Sequence, residues 1–451
     1  MINIKSDSRK IKKGDIFVAL DGIKSNGSDY IDQAIKNGAR KIVCKSGKYS
    51  VETLEVENPR KYLNEYLVNH YNKYLDEMTI IGITGTNGKT TSSHLIYQAL
   101  NQLGMKCAYI GTIGYYLDKK VLDLPNTSVD VCDLYELIIN AYDKGYKYLV
   151  MEVSSQGLAY QRLEGIKFDY AIFTNLTEDH LDYHKTMENY CLAKQKLFKM
   201  LKPNGVGIVN SDDDYSNYFK IGHYLTYGFN DSNYQVTNYK LSNESTNFNI
   251  NNLFNIHSPL IGKYNIYNVL CVVIILDLLK IDKFIIEKVI ANLKTPNGRM
   301  EKIKYQTNSI IVDYAHTPDA MINVYNTVKE IPHHKIITVF GCTGDRDRLK
   351  RPIMLDLATT NSDYSIITMD DLHDEDFNHI VKDMTNGITK TNYEVIMDRG
   401  RAIDKGISLL NNNDILLILG KGHETGIIIK DKKIPFNDAE YVLKVINKVS
   451  V

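Results

Sequence analysis

Short apolar runs and amphipathic stretches alternate along most of the chain, and this alternation predicts its elements. After Met78 the runs TIIGIT, KCAYIGT, YLVMEVSS and FDYAIFTNL have the length of buried strands, and a helix is expected over Val131–Asp143 between two of them. Strands that alternate with helices are typical of a parallel sheet, which binds ligands at the carboxyl ends of its strands. The central part of the chain is therefore predicted to be an α/β domain.

Two further α/β units flank this domain. Near the start of the chain, strands are predicted at residues 16–20 and Lys41–Cys44, around the helical stretch YIDQAIKNGA. A Pro-Asn-Gly break at residues 296–298 ends the central unit, and SIIVDYA, KIITVFG, YSIITMD, NYEVIM and DILLILG then restart the alternation. The polar, Asn-rich residues 228–252 are expected to form hairpins with loops. The predicted domains are residues 1–76, 77–296 and 297–451, the last of them Rossmann-like.

The composition fits a multidomain protein without a polyanionic or membrane partner. The chain has 451 residues, 43% of them hydrophobic, and its 54 basic and 54 acidic residues give a formal net charge of +0. No global field therefore draws it to nucleic acid or to an anionic membrane. Its 6 cysteines form no C-x-x-C pair, its N-terminus is charged where a signal peptide is apolar, and its longest apolar run, residues 269–276, cannot span a bilayer. A cytoplasmic protein with reduced thiols, no nucleic-acid partner and no membrane insertion is predicted.

The stretch GITGTNGKTT, residues 82–91, is the strongest chemical motif. It follows the apolar run MTIIGIT and precedes the helical stretch SSHLIYQALNQLG, in the strand–turn–helix order of a phosphate-binding loop. In that setting backbone N–H groups and Lys89 meet the phosphates, and the Thr90 hydroxyl can reach a magnesium ion. The loop is a variant, because Ile83 stands where the general pattern has its first glycine. A nucleotide site is predicted here.

Two strand ends downstream carry candidate metal ligands. Glu152 ends the apolar strand in MEVSSQGLAYQR, and Asp179 and His180 follow the next strand in TNLTEDHLDYH. Beside a phosphate loop, these groups would gather hard oxygen ligands and an imidazole around magnesium. Taken singly, Glu152 could be an ordinary strand-end cap and His180 a structural histidine. Their combination with the loop favours the metal site.

Several ordered motifs carry a resemblance to a known family. They are SDSRKIKKGDIFVAL, GTNGKTT, MEVSS, TNLTEDHLDYH, PNGRME, DYAHTPDA, GCTGDRDRLKRP and GKGHE. Over its whole length the chain resembles the Mur ligase family, and within it the MurE type, which the D-S-R and GDRD…KRP segments favour over its sister ligases. The resemblance implies a small N-terminal α/β domain that binds UDP, a central P-loop ATPase domain with a parallel sheet, and a C-terminal Rossmann-like domain that binds an amino acid.

The resemblance also implies a reaction, an ATP-dependent ligation in peptidoglycan biosynthesis. ATP phosphorylates the terminal carboxylate of UDP-MurNAc-L-Ala-D-Glu, and the amine of an incoming amino acid displaces phosphate from the acyl phosphate. Magnesium and Lys89 would offset the repulsion between the two anions as they meet. UDP-MurNAc-L-Ala-D-Glu and a free amino acid are the expected partners, and a monomer is expected.

Individual residues around ATP acquire roles from the same resemblance. The implied ATP ligands are Gly85, Thr86, Asn87, Gly88, Lys89, Thr90, Thr91, Asn265, Asn268, Arg299 and Asp313. The implied magnesium ligands, direct or through water, are Thr90, Glu152, His180 and Lys194. Lys194 matches the position at which family members carry a carbamate, so N6-carboxylysine is expected there, although a lone lysine on a helix would ordinarily be an exposed side chain. The implied catalytic residues are Lys89, Glu152, His180 and Lys194.

Hydroxyl groups and one arginine are the implied contacts of the UDP-sugar peptide. They are Ser8 on the uridine side and, along the sugar, linker or peptide, Thr127, Ser128, Ser154 and Arg162. The hydroxyls offer directional hydrogen bonds, and Arg162 can pair with an anionic group. Thr127-Ser128-Val129 replaces a frequent Thr-Thr-Pro of the family, and Gln156 replaces a frequent His. Polar character survives both changes, so binding is expected to be retained.

The amino-acid site is where the sequence departs most from the family pattern. Family members that add meso-diaminopimelate carry Asp-Asn-Pro-Arg after the strand corresponding to YSIIT, and the arginine pairs with the distal carboxylate. The aligned residues here are Asp370, Asp371, Leu372 and His373, followed by Asp374 and Glu375. Such an acidic setting favours an ammonium tail and repels a carboxylate, so L-lysine is predicted, with L-ornithine as the near alternative. The other implied ligands are Arg351 for the α-carboxylate, Glu424 for an amino group, and Gly420.

Two other interpretations stay open. A folylpolyglutamate or cyanophycin type of ligase would share the ATPase and C-terminal domains, and the D-S-R segment argues against it. A catalytically silent nucleotide-binding homologue would keep the fold, and the intact Lys89, Glu152, His180 and Lys194 argue against that.

Overall fold

A small parallel sheet forms the first domain. The structure, a computed structural model, describes residues 2–22, 26–242 and 244–449. Strands β1 to β4 pair in chain order, and they span Ile4–Lys5, Ile16–Val18, Lys41–Cys44 and Glu52–Glu55. The α-helices among the described residues of this domain are α1 over Ile31–Lys36 and α2 over Pro59–Asp76. Asn58 caps α2, and Leu63 and Leu67 bury its inner face in the same apolar cluster as the strands.

An 11-stranded mixed sheet organises the middle domain. Its strands are β5 (Thr79–Thr84), β6 (Cys107–Gly111), β7 (Gly114–Tyr116), β8 (Lys120–Leu122), β9 (Tyr148–Glu152), β10 (Phe168–Phe173), β11 (Leu201–Asn210), β12 (Tyr224–Gly228), β13 (Tyr234–Leu241), β14 (Thr246–Ile250) and β15 (Phe254–Ser258). Their order in the sheet is β15-β14-β13-β12-β11-β10-β5-β9-β6-β7-β8. The stretch from β13 to β6 is parallel, and the antiparallel pairs β14–β15 and β7–β8 extend it on either side.

Helices cover both faces of this sheet. They are α3 (Lys89–Gln102), α4 (Val131–Asp143), α5 (Ser155–Ala159), α6 (Leu181–His184), α7 (Met187–Lys199), α8 (Lys263–Leu278) and α9 (Lys283–Ile290). Side chains of α4 and α7 pack in one apolar cluster, and those of α3 and α8 pack in a second cluster with the opposite side chains of β5 and β9. The carboxyl ends of β5, β9 and β10 are left uncovered, and the loops there carry the predicted site.

The third domain repeats this plan with a 6-stranded sheet of order β16-β17-β21-β18-β19-β20. The strands of the domain are β16 (Glu301–Tyr305), β17 (Asn308–Asp313), β18 (Ile336–Phe340), β19 (Tyr364–Ile367), β20 (Tyr393–Val395), β21 (Ile415–Leu419), β22 (Gly426–Ile429) and β23 (Lys432–Pro435). Its helices are α10 (Pro318–Lys329), α11 (Lys350–Asn361), α12 (Phe377–Thr385), α13 (Arg399–Ser408) and α14 (Asp438–Val449). Strands β22 and β23 form a separate hairpin, and every pair in the 6-stranded sheet is parallel except β16–β17.

A fully buried ion pair ties α14 to this sheet. The Arg399 guanidinium donates to both carboxylate oxygens of Asp438 at 2.7 Å, and both side chains are 0% exposed. The same guanidinium donates to the carbonyls of Met369, at 3.2 Å, and Leu419, at 3.0 Å. These carbonyls lie where β19 and β21 give way to the loops of the cleft.

The predicted fold class is confirmed, with differences in detail. Helix α4 has its predicted bounds, and β13 and β14, within the range 228–252, pair antiparallel and extend the sheet. Strand β2 ends at Val18, two residues short of the predicted end. Helix α2 was not predicted, because its apolar face combines Leu63 and Leu67 with several tyrosines and has no plain aliphatic period. The domain boundaries stay predictions.

Two structural observations bear on the cysteines and on membrane insertion. All six cysteines are free and buried in the structure. None of the helices within the described ranges combines the length and the apolar character needed to cross a membrane.

Candidate active site

The predicted phosphate loop lies between β5 and α3, as the sequence indicates. Gly88 has φ 85°, and Gly85 has φ 151° with the space for a Cβ occupied by the Thr174 hydroxyl at 1.9 Å. The turn therefore requires glycine at both positions. The Lys89 ammonium donates to the carbonyls of Gly85, at 3.0 Å, and Thr86, at 2.9 Å, and burial lowers its pKa. Neutral carbonyls are partners that an incoming phosphate can replace.

Glu152 lies directly behind this loop and is 0% exposed. Its Oε2 accepts hydrogen bonds from the hydroxyls of Thr90, at 3.0 Å, and Thr112, at 2.9 Å. Its Oε1 accepts from the Thr112 backbone N–H at 2.9 Å and from the Tyr109 hydroxyl. Arg299 of the third domain reaches the Thr90 hydroxyl at 3.3 Å. The structure thus brings together two of the predicted magnesium ligands, Thr90 and Glu152, with oxygen atoms of the kind magnesium prefers.

Lys194 and His180 complete the predicted metal set on the cleft side of the loop. Lys194 is 1% exposed, donates to the Gly85 carbonyl at 2.7 Å and lies 4.3 Å from the centre of the Tyr190 ring. Burial, reinforced by the positive charge of Lys89, holds the pKa of Lys194 well below its ordinary value. The His180 ring lies 3.4 Å from an Asp179 oxygen and is half-exposed. A buried lysine with a lowered pKa differs from the exposed helical lysine that is ordinarily expected.

A pocket of about 290 Å³ on the other side of the loop collects the remaining predicted ATP residues. Its walls include Asn265 and Asn268 from α8 and Arg299 and Asp313 from the third domain. Asn268 donates to Asn265 at 2.8 Å and accepts from the Ser92 hydroxyl at 3.0 Å, so both amides are fixed. The Arg299 guanidinium lies 4.4 Å from the centre of the Tyr314 ring. These residues lie between the middle and third domains, as predicted for the nucleotide.

Asp319, at the start of α10, makes a contact across the same boundary. Its carboxylate accepts hydrogen bonds from the Asn87 amide at 2.6 Å and from the Thr177 hydroxyl at 3.3 Å. Burial raises the pKa of Asp319. Asp319 belongs to the DYAHTPDA motif, but no role was predicted for it. A carboxylate of the third domain therefore rests on the phosphate loop itself.

A larger cleft of about 900 Å³ joins the phosphate loop to the third domain. Of the residues predicted to bind the UDP-sugar peptide, Thr127, Ser154 and Arg162 line it. Ser128 does not: it is buried beneath them, and its hydroxyl accepts from the Ser154 backbone N–H at 3.1 Å. Ser8 is also buried, in the first domain, where its hydroxyl donates to Gln33 at 2.9 Å. The side chains of these two serines could contact the UDP-sugar peptide only after a local rearrangement.

The far wall of the cleft carries the predicted amino-acid residues Asp370, Asp371, His373, Gly420 and Glu424. The three carboxylates have oxygens within 4.8 Å of one another. Lys421, which is 1% exposed, lies among them: its ammonium is 2.6 Å from Asp371 and 3.8 Å from Asp370, and it also pairs with Glu424. One buried cation thus offsets part of the negative charge of this wall, which the sequence pattern did not reveal.

Arg351 is not brought to the cleft, and this corrects the geometry expected for it. The side chain is 0% exposed, and its guanidinium donates to both oxygens of Glu375, at 2.7 and 2.6 Å, and to Asp383 at 2.8 Å. Hydrogen bonding to Arg351 lowers the pKa of Glu375 to about 2. Arg346, in the same GDRDRLKRP segment, lines the cleft instead. Of Arg346 and Arg351, it is therefore Arg346 that an amino acid in the cleft could reach.

Comparisons with known proteins agree with this architecture. Three family models match in order: Mur ligase family, catalytic domain, over residues 2–80; Mur ligase middle domain, over 83–276; and Mur ligase, glutamate ligase domain, over 298–422. A protein of Fusobacterium nucleatum is 40% identical over 97% of this chain and 92% of its own. The chain belongs to the Mur ligase family. As the resemblance implied, it is an ATP-dependent ligase.

Other relatives extend the similarity over the whole chain. A protein of Clostridium botulinum is 37% identical over 99% of this chain and 95% of its own. A solved structure with a TM-score of 0.70 is 30% identical and covers 100% of this chain and 95% of its own. All three relatives are named UDP-N-acetylmuramoyl-L-alanyl-D-glutamate–2,6-diaminopimelate ligase. These names do not support the prediction of lysine, and the ion pairs of Lys421 and Arg351 remove much of its physical basis.

Proposed function

We propose that the protein joins a diamino acid to the terminal carboxylate of UDP-MurNAc-L-Ala-D-Glu with hydrolysis of ATP to ADP and phosphate. The observation that carries this proposal is the single cleft of about 900 Å³, which Lys89 and Lys194 line on one side and Asp371 and Glu424 on the other. Phosphate-binding and amine-binding groups therefore face a common space. The reaction needs that arrangement, because the same carboxylate must meet first the phosphate and then the amine.

The proposed reaction has two steps, phosphorylation of the carboxylate and attack by the amine. An oxygen of the D-Glu carboxylate attacks the γ-phosphorus of ATP, and ADP leaves. The neutral amine nitrogen then attacks the acyl carbon, and phosphate departs with the former carboxyl oxygen as the nitrogen gives up one proton to solvent and keeps the other as the amide N–H. Lys89 is held by the carbonyls of Gly85 and Thr86, so its charge can be turned to the phosphates without the loss of a carboxylate partner.

The residues behind the loop fit a magnesium ion. Thr90 and Glu152, whose hydroxyl and carboxylate oxygens meet behind the loop, would hold it directly or through water, and His180 on the cleft side of the loop is proposed as a third ligand. Bound there, the ion would offset the charge of the phosphates as the carboxylate approaches. The Thr90 and Thr112 hydroxyls now donate to Glu152, and each can rotate to turn an oxygen lone pair toward a cation.

Lys194 is proposed to carry a carbamate, formed when its neutral amine adds to carbon dioxide and loses a proton. The support is its burial and its lowered pKa, since only the unprotonated amine is a nucleophile. The product is an anion beside Lys89 and the Gly85 carbonyl. It would supply an oxygen ligand that an ammonium group cannot.

For the amino acid, 2,6-diaminopimelate is the first candidate, because the relatives named above act on it. Its two carboxylates call for two cations on the wall. Arg346 lines the cleft, and so does Lys433, whose ammonium bonds the Thr425 hydroxyl at 2.9 Å and has no ion-pair partner among the described residues. Lys433 pairs across the β22–β23 hairpin with Ile428, whose carbonyl accepts from the His373 backbone N–H at 3.2 Å. We propose that Arg346 and Lys433 meet the two carboxylates.

L-Lysine is the second candidate, on the one observation that His373 stands where the resemblance places an arginine. The ammonium tail of lysine would then not face the fixed positive charge of a guanidinium. The test measures ADP release with UDP-MurNAc-L-Ala-D-Glu and each of meso-diaminopimelate, L-lysine and L-ornithine. Release that requires both substrates, with the highest kcat/KM for meso-diaminopimelate, is the expected result. Release with a folate substrate in place of the UDP-sugar peptide would refute the proposal.

A further inference from the structure

The oxygen atoms of Glu152 are held by different kinds of donor. Oε2 accepts only from the Thr90 and Thr112 hydroxyls, among the described residues. Oε1 accepts from the Thr112 backbone N–H, which cannot rotate, and from the Tyr109 hydroxyl. A hydroxyl on a threonine can turn its lone pair to a cation, whereas a backbone N–H cannot. The two oxygens are therefore not equivalent toward a metal ion.

Strand pairing places Tyr109 for this contact. Tyr109 lies on β6 opposite Val150 of β9, and Glu152 follows Val150 by two residues, so both side chains point to the same face of the sheet. The Tyr109 ring is fully buried and packs edge-to-face against His94 at 5.7 Å, Tyr97 at 6.1 Å and Tyr116 at 5.6 Å. A ring enclosed in this way cannot withdraw its hydroxyl from the carboxylate.

Gly111 keeps room for the same contact. A Cβ on Gly111 would lie 2.4 Å from Glu152 Oε1 and 2.4 Å from the Tyr109 hydroxyl oxygen. Absence of a side chain there lets the phenol and the carboxylate meet directly. Tyr109, Gly111 and the Thr112 N–H thus form one cradle for Oε1.

We infer that Tyr109 is a positioning residue that commits Oε1 of Glu152 to the protein and leaves Oε2 to face Thr90 and the metal ion. This inference rests on the proposed function, in which Glu152 is a magnesium ligand. The terminal torsion of a glutamate has a broad, two-fold energy profile, so the carboxylate needs an external hold to keep one oxygen toward the loop. Partners of this kind fix the orientation of metal ligands, and their loss ordinarily weakens metal binding.

The test compares Tyr109→Phe with Tyr97→Phe in the full-length chain. Tyr97 belongs to the same aromatic cluster, but its hydroxyl donates to the Leu117 carbonyl and not to Glu152. Mn²⁺ binding in the presence of a non-hydrolysable ATP analogue is followed by electron paramagnetic resonance. We expect the Mn²⁺ dissociation constant of Tyr109→Phe to rise about 10-fold, and that of Tyr97→Phe to stay at the wild-type value. The KM for the amino acid should not change in either variant.

Two more variants make the outcome decisive. Gly111→Ala should weaken Mn²⁺ in the same direction, because its methyl group pushes the phenol and the carboxylate apart; it also serves if Tyr109→Phe does not fold. Glu152→Gln tests the metal ligand itself. Wild-type Mn²⁺ affinity in Tyr109→Phe and Gly111→Ala, together with weakened binding in Glu152→Gln, would overturn the inference alone. Unchanged binding in all three would overturn the metal assignment of Glu152 as well.

Discussion

The phosphate loop faces the far wall of the cleft, the surface that carries Asp370, Asp371, His373, Gly420 and Glu424. The charged groups on these two sides have different kinds of partner. Lys89 on the loop is bonded to two neutral carbonyls, so its charge is open to an anion. Lys421 on the wall is bonded to Asp371 and Glu424, so its single positive charge is already neutralised by carboxylates. A charged residue in the sequence therefore predicts a ligand contact only where its partners in the fold are neutral groups close to it in the chain.

The largest effect is expected on the loop side, at Lys194. Lys194→Ala should lower kcat on the order of 10³-fold, because the proposed carbamate oxygen is lost from the site of phosphoryl transfer. Acetate or formate should restore part of the rate by supplying a carboxylate. The matched control is Lys196→Ala, an exposed lysine on the same helix. Full activity in Lys194→Ala would remove the carbamate from the mechanism.

Arg346 lines the cleft, whereas Arg351 is buried in an ion pair, so substitutions at the two arginines should have different effects. Arg346→Ala should raise the KM for the amino acid about 10- to 100-fold, the value of a charge-assisted hydrogen bond, with little change in stability. Arg351→Met should instead cost about 2 kcal/mol of unfolding free energy, because Glu375 loses its ion-pair partner and Asp383 keeps only Arg348. Steady-state kinetics and thermal unfolding distinguish them; the reverse pattern would restore Arg351 to the amino-acid site.

The stability effect at Arg351 should depend on pH. Arg351 depresses the pKa of Glu375 from 4.5 to about 2. A depressed carboxyl pKa stabilises the fold at pH values above the ordinary pKa, and the gain is lost as the pH falls toward the depressed one. The difference in unfolding free energy between wild type and Arg351→Met should thus be full at pH 7 and shrink below about pH 4. A difference that is independent of pH would contradict the ion pair.

A smaller effect is expected at Lys433, on the rim of the wall. Lys433→Ala should lower the ratio of kcat/KM for meso-diaminopimelate to that for L-lysine about 10-fold, because only the former has a distal carboxylate to lose its partner. Lys432→Ala is the control, since it neighbours Lys433 on β23 and does not line the cleft. An equal ratio in the two variants would place the distal carboxylate elsewhere.

The smallest effect is expected where the two sides touch, at Asp319. Asp319→Asn keeps an oxygen for the Asn87 amide and removes the negative charge that incoming phosphates would meet. The affinity for an ATP analogue should rise about 3-fold at low salt, and the gain should fade at high salt because screening weakens such repulsion. The control Asp214→Asn, at an exposed position, should change neither the affinity for the ATP analogue nor its dependence on salt. Weaker binding in Asp319→Asn would mean that the carboxylate helps the nucleotide.

How much the sequence could predict follows from how far apart the partners are. The loop, its strand and its helix are contiguous, so a local pattern was enough to place Lys89 and Thr90. Glu152 could be placed because apolar strand ends in a parallel sheet share one edge. The Arg351–Glu375 and Lys421–Asp371 pairs join residues 24 and 50 positions apart, and no local pattern reports them. The prediction of lysine failed to gain support because it treated Asp371 and Glu375 as unpaired.

The ion pair between Arg399 and Asp438 links α14 to two loops that line the cleft. Arg399 also bonds the carbonyls that immediately precede Asp370 and Gly420, so α14 acts as a tether on both loops of the wall. Loss of the Asp438 carboxylate would leave the Arg399 charge unpaired in the interior and would loosen both loops. A substitution there, remote from the cleft, is expected to leave ATP cleavage in place and to reduce the discrimination between amino acids.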